Sequence, residues 1–258
     1  MRKSLHGFRS AAVKLWMLTA TGLSAAACDG VGWTGPLDVD QSPTGIYIGS
    51  FMSTATQPSP SRQTIGVVSE EFDANFLLTH QHYAGNVAVD GISLSGVLIE
   101  YRGRQGVFIG FDGLSAVSIE GEVTERDGLF GIYAGDDAEG RFALAYSETY
   151  EEGSSLDLLS GIYSYSESSS GGAVYMITVE LDGGGRLFAT DTAGCVLSGQ
   201  VTAIDDRYSA YRVSISVSEC GAVDGDYDGL AFYQSANESL YIGTDNGQFA
   251  FSVQLGRL

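Results

Sequence analysis

A chain of 258 residues, 44% of them hydrophobic, is long enough for one large or two small domains and apolar enough to bury a core. Its 35 Gly, 14 Tyr and 12 Phe argue against a disordered chain, which lacks aromatics, and against a helical bundle, which tolerates little Gly. Thirteen basic residues against 32 acidic ones leave a net charge of −19, which repels phosphate and disfavours nucleic acid as a partner.

The chain opens with an address. Arg2, Lys3, Arg9 and Lys14 form a positive start without an acidic residue, and residues 15–27 are apolar or small. That run is shorter than the ~20 apolar residues a spanning helix needs. Residues 1–27 therefore read as a cleaved secretory signal peptide. Leu23-Ser24-Ala25-Ala26-Ala27-Cys28 resembles the bacterial lipobox, where a signal peptidase cuts before a cysteine carrying a diacylglycerol; Ala25 stands where that motif usually has Leu. The resemblance implies lipidation of Cys28. Ordinary signal cleavage at the same bond, leaving a free Cys28, is the competing reading. Without the signal, nine basic residues face 32 acidic ones, a net of −23, and all nine are Arg. The absence of Lys after Lys14 excludes Schiff-base, P-loop and Ser–Lys chemistry. So acidic a body repels anionic lipid head groups, and membrane contact is expected through the acyl chain alone.

Residues 28–44, with Gly30, Gly32, Gly35, Pro36 and Pro43, read as a flexible tether. Beyond them period-two alternation recurs. Tyr175, Ile177, Val179 and Leu181 alternate with Val174, Met176, Thr178 and Glu180, and Phe249, Phe251, Val253 and Leu255 alternate with Ala250, Ser252 and Gln254. These are half-buried strands. Asp112-Gly113, Asp127-Gly128, Asp182-Gly183 and Asn246-Gly247 mark tight turns. The fold class is all-β: an antiparallel meander of roughly 14–16 strands forming one or two barrel-like units. Gly45-Ile46-Tyr47 is echoed at Gly131-Ile132-Tyr133, Gly161-Ile162-Tyr163 and Gly225-Asp226-Tyr227, and Leu94-Ser95-Gly96 at Leu197-Ser198-Gly199. The repeats divide the chain into a first β unit at 45–152, a linker at 153–160 and a second β unit at 161–258. One continuous large barrel is the alternative.

Three cysteines are an odd count for an exported protein. If Cys28 carries lipid, Cys195 and Cys220 can pair in an oxidising envelope. The alternative is two free buried thiols. Matching the apolar faces of Leu197 and Val201 with Tyr211, Val213, Ile215 and Val217 leaves Cys195 inward and Cys220 on the opposite, serine side. A bridge then needs a bulge, or a strand that ends near Val217 so that Ser218-Glu219-Cys220 turns back.

The lipobox-like segment, Gly194-Cys195-Val196-Leu197-Ser198-Gly199, and Cys220 followed by Gly225-Asp226-Tyr227-Asp228-Gly229-Leu230-Ala231 together resemble uncharacterised lipoproteins of Gram-negative bacteria. The resemblance covers the signal and the last third of the chain. Two-barrel surface lipoproteins such as the transferrin-binding class share the inferred architecture, but none of their binding motifs appears here, so no ligand is implied.

Candidate chemistry is sparse. Asp224, Asp226, Asp228 and Gly229 spell the opening of a calcium loop, but the twelfth position is Ser235 and Leu230-Ala231-Phe232-Tyr233 reads as a strand; a turn entering a strand explains the segment equally. His80 and His82 on a strand would point to one face, near Glu70, Glu71 and Asp73, and could seed a transition-metal site, or they sit on an exposed hairpin end. Gly91-Ile92-Ser93-Leu94-Ser95 fails as a nucleophile elbow, and Asp191-Thr192-Ala193-Gly194 is not the aspartic-protease triplet. Carboxylate pairs are inevitable among 32 acids and carry no weight.

The expectation is a non-catalytic protein without cofactor or metal, lipid-anchored through Cys28 to the inner or outer membrane. Its body would lie in the periplasm or at the cell surface, where it binds a protein or small molecule or organises the envelope. The alternatives are an integral outer-membrane barrel, against which Glu100, Glu120, Glu122, Glu180 and the terminal Leu258 argue, and a secreted hydrolase.

Overall fold

A computed structural model describes residues 41–54, 62–78, 81–103, 109–110, 115–136, 139–168, 172 and 174–258. The signal segment, Cys28, most of the tether, His80 and Asp112-Gly113 lie outside the described residues. The barrels described below belong to one compact unit, Asp38–Leu258.

The first strands are β1 (Gly45–Ser53), β2 (Arg62–Val68), β3 (Asp73–Leu78), β4 (Gln81–Asp90), β5 (Ser93–Arg102), the two-residue β6 (Ile109–Gly110), β7 (Ser115–Thr124), β8 (Gly128–Gly135) and β9 (Glu139–Ser147). All but β6 pair antiparallel in chain order, and β9 returns to β1 to close an eight-stranded barrel. A second meander follows: β10 (Gly161–Ser168), β11 (Val174–Leu181), β12 (Arg186–Asp191), β13 (Val196–Ala203), β14 (Tyr211–Ser218), β15 (Gly225–Gln234), β16 (Ser239–Asp245) and β17 (Phe249–Arg257). It closes where β17 meets β10 at Tyr163↔Arg257 and Ser164↔Gly256. The chain is therefore an all-β meander of two barrels, not one. β6, from the β5–β7 connection of the first barrel, adds to β17 of the second.

Alternation places the cores. Along β14 the pattern is strict, with Tyr211, Val213, Ile215 and Val217 buried and Ser214, Ser216 and Ser218 exposed. Ile177, Val179 and Leu181 of β11, Leu197 and Val201 of β13 and Val253 and Leu255 of β17 pack with the rings of Tyr163, Tyr227, Tyr233 and Phe251 to complete the core of the second barrel. The first barrel is filled differently. The Phe51 ring stacks on Tyr83 at 5.0 Å and lies 5.4–5.9 Å from Tyr133, Phe142 and Phe76. Inward-facing Gly residues sit between these rings. A Cβ at Gly49 would come within 2.0 Å of the Ala143 carbonyl, and one at Gly121 within 2.1 Å of the Phe130 carbonyl, so the strands coil too tightly there for any side chain. A void of about 10 Å³ lined by Phe51, Phe76, Val87 and Leu144 remains, no larger than one water.

The Gly-x-Tyr echoes have a physical cause. Tyr47, Tyr163 and Tyr227 each donate their hydroxyl to the carbonyl four residues upstream, at Pro43, Leu159 and Val223, over 2.7–2.8 Å. The Gly two residues before each Tyr has φ between 151° and 158°, a region that side chains disfavour. Tyr47 and Tyr163 thereby fasten the first strand of each barrel. Gly131-Ile132-Tyr133 lies inside β8 and makes no such corner. The Leu-Ser-Gly echo is also only local, since it falls on the fifth strand of one barrel, β5, and the fourth of the other, β13.

At Asn246-Gly247 the glycine takes φ 79° and Asn246 Oδ1 accepts the N–H groups of Gln248 and Phe249. At Asp127-Gly128 the positive φ falls on Arg126, and at Asp182-Gly183 on Gly185. Between the barrels a 3-10 turn (Glu148–Glu152) and a one-turn helix (Leu156–Leu159) are capped by Ser147 and Ser155.

The barrels meet along a seam. Ile46, Val67, Leu230, Phe232 and Tyr241 form one apolar cluster across it, and Ala84, Tyr101 and Ala250 another. Phe232 stacks on Tyr241 at 4.5 Å. This makes β16 buried on both faces from Ser239 to Thr244, although an outer strand reads as half-buried. Polar ties cross the seam as well: Tyr101 donates to Asp245 at 2.8 Å, and Arg212 pairs with Glu71 and with Asp73 at 3.2 Å.

Candidate functional site

With both interiors filled, open space lies beside the seam. A cleft of ≈ 390 Å³ is walled by Ser42 and Thr44 ahead of β1, Glu70 and Phe72 of the β2–β3 turn, Glu125 and Arg126 of the β7–β8 turn, Tyr146 of β9, Tyr150 and Glu151 of the 3-10 turn, and Tyr208 of the second barrel. The capped 3-10 turn carries Tyr150 onto Tyr208, and the two rings stack at 4.6 Å. Ser209 donates its N–H to the Tyr150 carbonyl at 2.8 Å, while Ser154 donates to the carbonyls of Asp205 and Asp206, so the loop bearing Tyr208 is held from behind. Tyr146 meets Tyr150 edge-on at 6.3 Å.

The electrostatics are acidic. Glu70, Glu125 and Glu151 line the cleft with one cation, Arg126, which pairs with Glu151 at 3.1 Å. Arg207 lies over the Tyr208 ring at 5.1 Å, held by Asp205 at 2.6 Å and near Glu70 at 3.8 Å. Burial, with the nearby Glu70 carboxylate adding to it, pushes the Tyr150 hydroxyl up to about 12. Burial also raises Tyr146, helped by its hydrogen bond to Glu151. Both phenols are therefore neutral donors at physiological pH.

Backbone strain gathers at the same place. Phe72 (φ 67°) and Arg126 (φ 56°) are two of four non-glycine residues with positive φ among the described residues. The left-handed conformation costs roughly 1–2 kcal/mol for such side chains. Phe72 is 37% exposed, so most of its ring is packed, and its turn is held by its N–H donating to the Ser69 carbonyl at 2.9 Å and the Val87 N–H donating to its own carbonyl at 3.0 Å.

A second groove of ≈ 320 Å³ is lined by Gln63, Gln234, Gln254 and Tyr241 with Ile48, Ile65 and Leu77. It carries no carboxylate.

The residues singled out from the sequence fall elsewhere. Cys195 and Cys220 form a disulfide with Cα atoms 4.7 Å apart. β14 ends at Ser218, and Glu219 (φ 62°) turns the chain so that Cys220 comes back to the core side; of the two expected routes, the early strand end is the one used. Asp191 Oδ1 accepts the N–H groups of Ala193 and Cys195 at 2.9 Å, so the Asp191-Thr192-Ala193-Gly194 segment is the turn that presents Cys195. Cys28 and His80 lie outside the described residues.

His82 is not on an exposed hairpin end. It is fully buried, because the second barrel packs over it: a Cβ at Gly243 would lie 3.1 Å from its Nε2. That nitrogen bonds the Asn75 amide oxygen, whereas Nδ1 has no partner. Burial lowers the imidazole to about 3, so the ring is neutral.

Asp226 and Asp228 stand outward on β15, and Asp224 accepts the Cys220 N–H at 2.7 Å to close the turn ahead of the strand. Among the described residues no three His, Cys, Asp or Glu side chains converge to hold a metal ion. Glu120, Glu122 and Glu180 face outward and are exposed, but Glu100 does not belong with them. It points into the first barrel with its side chain fully buried, chelated by Arg102 at 3.0 and 3.1 Å and bonded by Gln81. Adjacent Glu100 and Tyr101 are both buried because one faces the barrel and the other the seam.

The cleft itself escaped sequence reasoning. Tyr146 and Tyr150 could be seen as aromatics near an acidic segment, yet nothing local marks Tyr208, nearly 60 residues on, as their partner. No protein-family model, curated protein or solved structure matches the chain.

Proposed function

We propose that this chain is a lipid-anchored protein of the bacterial cell envelope whose double barrel is a non-catalytic binding body, tethered at Cys28 and collecting its ligand in the tyrosine-lined cleft beside the seam. The observation that carries the binding reading is the contrast between filled barrel interiors and an aromatic, acidic cleft built from five loop segments and a strand end. Pockets of this size accept small molecules. The anchor rests on the positive start, the short apolar run and the small residues before Cys28. Exposed Glu120, Glu122, Ser198, Ser214, Ser216 and Asp228 on outward strand faces support a body standing in water; a lipid-facing barrel surface would be apolar over its whole band.

Intact mass of the protein purified from its own membranes tests the anchor. The expected value is residues 28–258 plus acyl chains, rising by two hydrogens on reduction; a mass without lipid overturns the tether. Cys28→Ala is expected to release a soluble protein, and retention of that variant in the bilayer would favour an integral barrel.

One observation favours a hydrolase as the second reading: Glu70, Glu125 and Glu151 line one cleft. Against it, Glu151 is already engaged by Arg126 and by the Tyr146 hydroxyl at 3.0 Å. Turnover of chromogenic glycosides or esters that disappears in Glu125→Gln would establish the hydrolase instead.

A further inference from the structure

We infer that the cleft selects organic ammonium ions, the cationic head lying against the Phe72 and Tyr146 rings and facing the carboxylates of Glu70 and Glu125. The inference rests on the cleft being a ligand site and names the chemistry it selects.

Three features lead to it. The first is charge: three carboxylates and one arginine form the wall, that arginine is bonded to Glu151, and Glu70 has only the longer 3.8 Å contact with Arg207, so Glu125, with Glu70 beside it, attracts a cation. The second is the donor pattern. No three carboxylates or imidazoles converge among the described residues, so the wall lacks the tight oxygen cage a small metal ion needs. A large, weakly hydrated cation needs no such cage and is stabilised by aromatic faces. The third is the walls themselves. The Tyr150–Tyr208 stack already carries a guanidinium, that of Arg207, on its outer face, so rings and carboxylates here do hold organic cations. Phe72, about one third exposed, adds a further ring to the aromatic wall.

The test is calorimetric titration of the purified protein with tetramethylammonium and with choline, alongside 3,3-dimethylbutan-1-ol, the uncharged carbon analogue of choline, and flotation with vesicles bearing choline head groups. Saturable binding of either cation, or of the vesicles, with the neutral analogue at least tenfold weaker, is expected. Free choline binding assigns a soluble ligand, and vesicle binding alone assigns a lipid head group. Phe72→Leu keeps apolar bulk but removes the ring face, and is expected to weaken binding ~5-fold. Glu70→Gln and Glu125→Gln are each expected to weaken it ~3-fold, while Glu180→Gln, on the outer face of the second barrel, leaves it unchanged. Equal binding of the neutral analogue, or no saturation by any cation or vesicle, overturns the inference. The mass measurement on Cys28 does not involve the cleft, so loss of the anchor and loss of ammonium binding are separate outcomes.

Discussion

The two barrels have the same strand count, the same meander order and the same tyrosine corner on their first strand, yet they are stabilised by different means. Tight inward glycines occur in both, Gly49 and Gly121 in the first and Gly199 and Gly229 in the second, but the first gathers four aromatic rings around Phe51. The second distributes the rings of Tyr163, Tyr211, Tyr227, Tyr233 and Phe251 among aliphatic side chains such as Ile177, Val179, Leu197, Val213 and Ile215, with the Cys195–Cys220 bridge at one end. Glycine and bulky rings are complementary, because each removed Cβ makes room for ring volume at the same level. Topology, then, does not dictate the core; the same meander accepts either solution when inward volumes sum correctly.

The largest expected effect comes from the aromatic hub. Phe51→Ala is expected to cost about 4 kcal/mol in urea unfolding, and to act on the first barrel alone if the barrels unfold separately. Coincident loss of both would show that the seam couples them into one cooperative unit. Next is the bridge. Cys195→Ala with Cys220→Ala should lower stability by about 3 kcal/mol through the second barrel, read by the same titration, and reduction of the native chain should match it. Third, Arg102→Ala strands the buried Glu100 carboxylate at the mouth of the first barrel. Arg102 is 39% exposed, so the expected loss is discounted to about 2 kcal/mol, with Glu100→Gln in the same background restoring part of it.

The seam gives a pH signature. His82 is depressed from 6.5 to about 3 by burial, so between these values the unfolded chain takes up a proton that the folded chain refuses. Stability contributed by the neutral ring is complete above pH 6.5 and declines as pH falls toward 3, by about 1.4 kcal/mol per pH unit. Asp245, raised by its burial at the same seam, acts in the opposite sense at the acid end. Comparing the native chain with His82→Gln isolates the imidazole, and an unchanged slope in the variant would remove the seam as its source. The smallest effect belongs to the exposed tie: Arg212→Ala should cost about 0.5 kcal/mol at low salt and nothing at 1 M salt.

Much of this architecture was legible in the sequence. Alternation at Tyr211-Val213-Ile215-Val217 placed β14 and its buried face, and Asp127-Gly128, Asp182-Gly183 and Asn246-Gly247 fell in turns. Cys195 and Cys220 could be paired on paper from the cysteine count, but their opposite parity left a bulge or an early strand end open, and the structure uses the strand end. The Gly-x-Tyr echoes were visible, but their meaning was not, since the accepting carbonyl four residues upstream belongs to no motif. Glu100 and His82 were misplaced for one reason. Alternation tells which residues share a face, not whether that face meets the barrel interior, water or a second barrel.

Local pattern alone thus determines the strands, which residues share a face and the turns, because each depends on neighbours within a few residues. What only the tertiary structure decided is that the strands close into two barrels, not one, and which outward faces pack together. It also decided that Tyr146, Tyr150, Phe72 and Tyr208 wall one cleft. Those outcomes depend on how much apolar surface two barrels can remove from water by meeting, a quantity belonging to whole surfaces and written in no single segment.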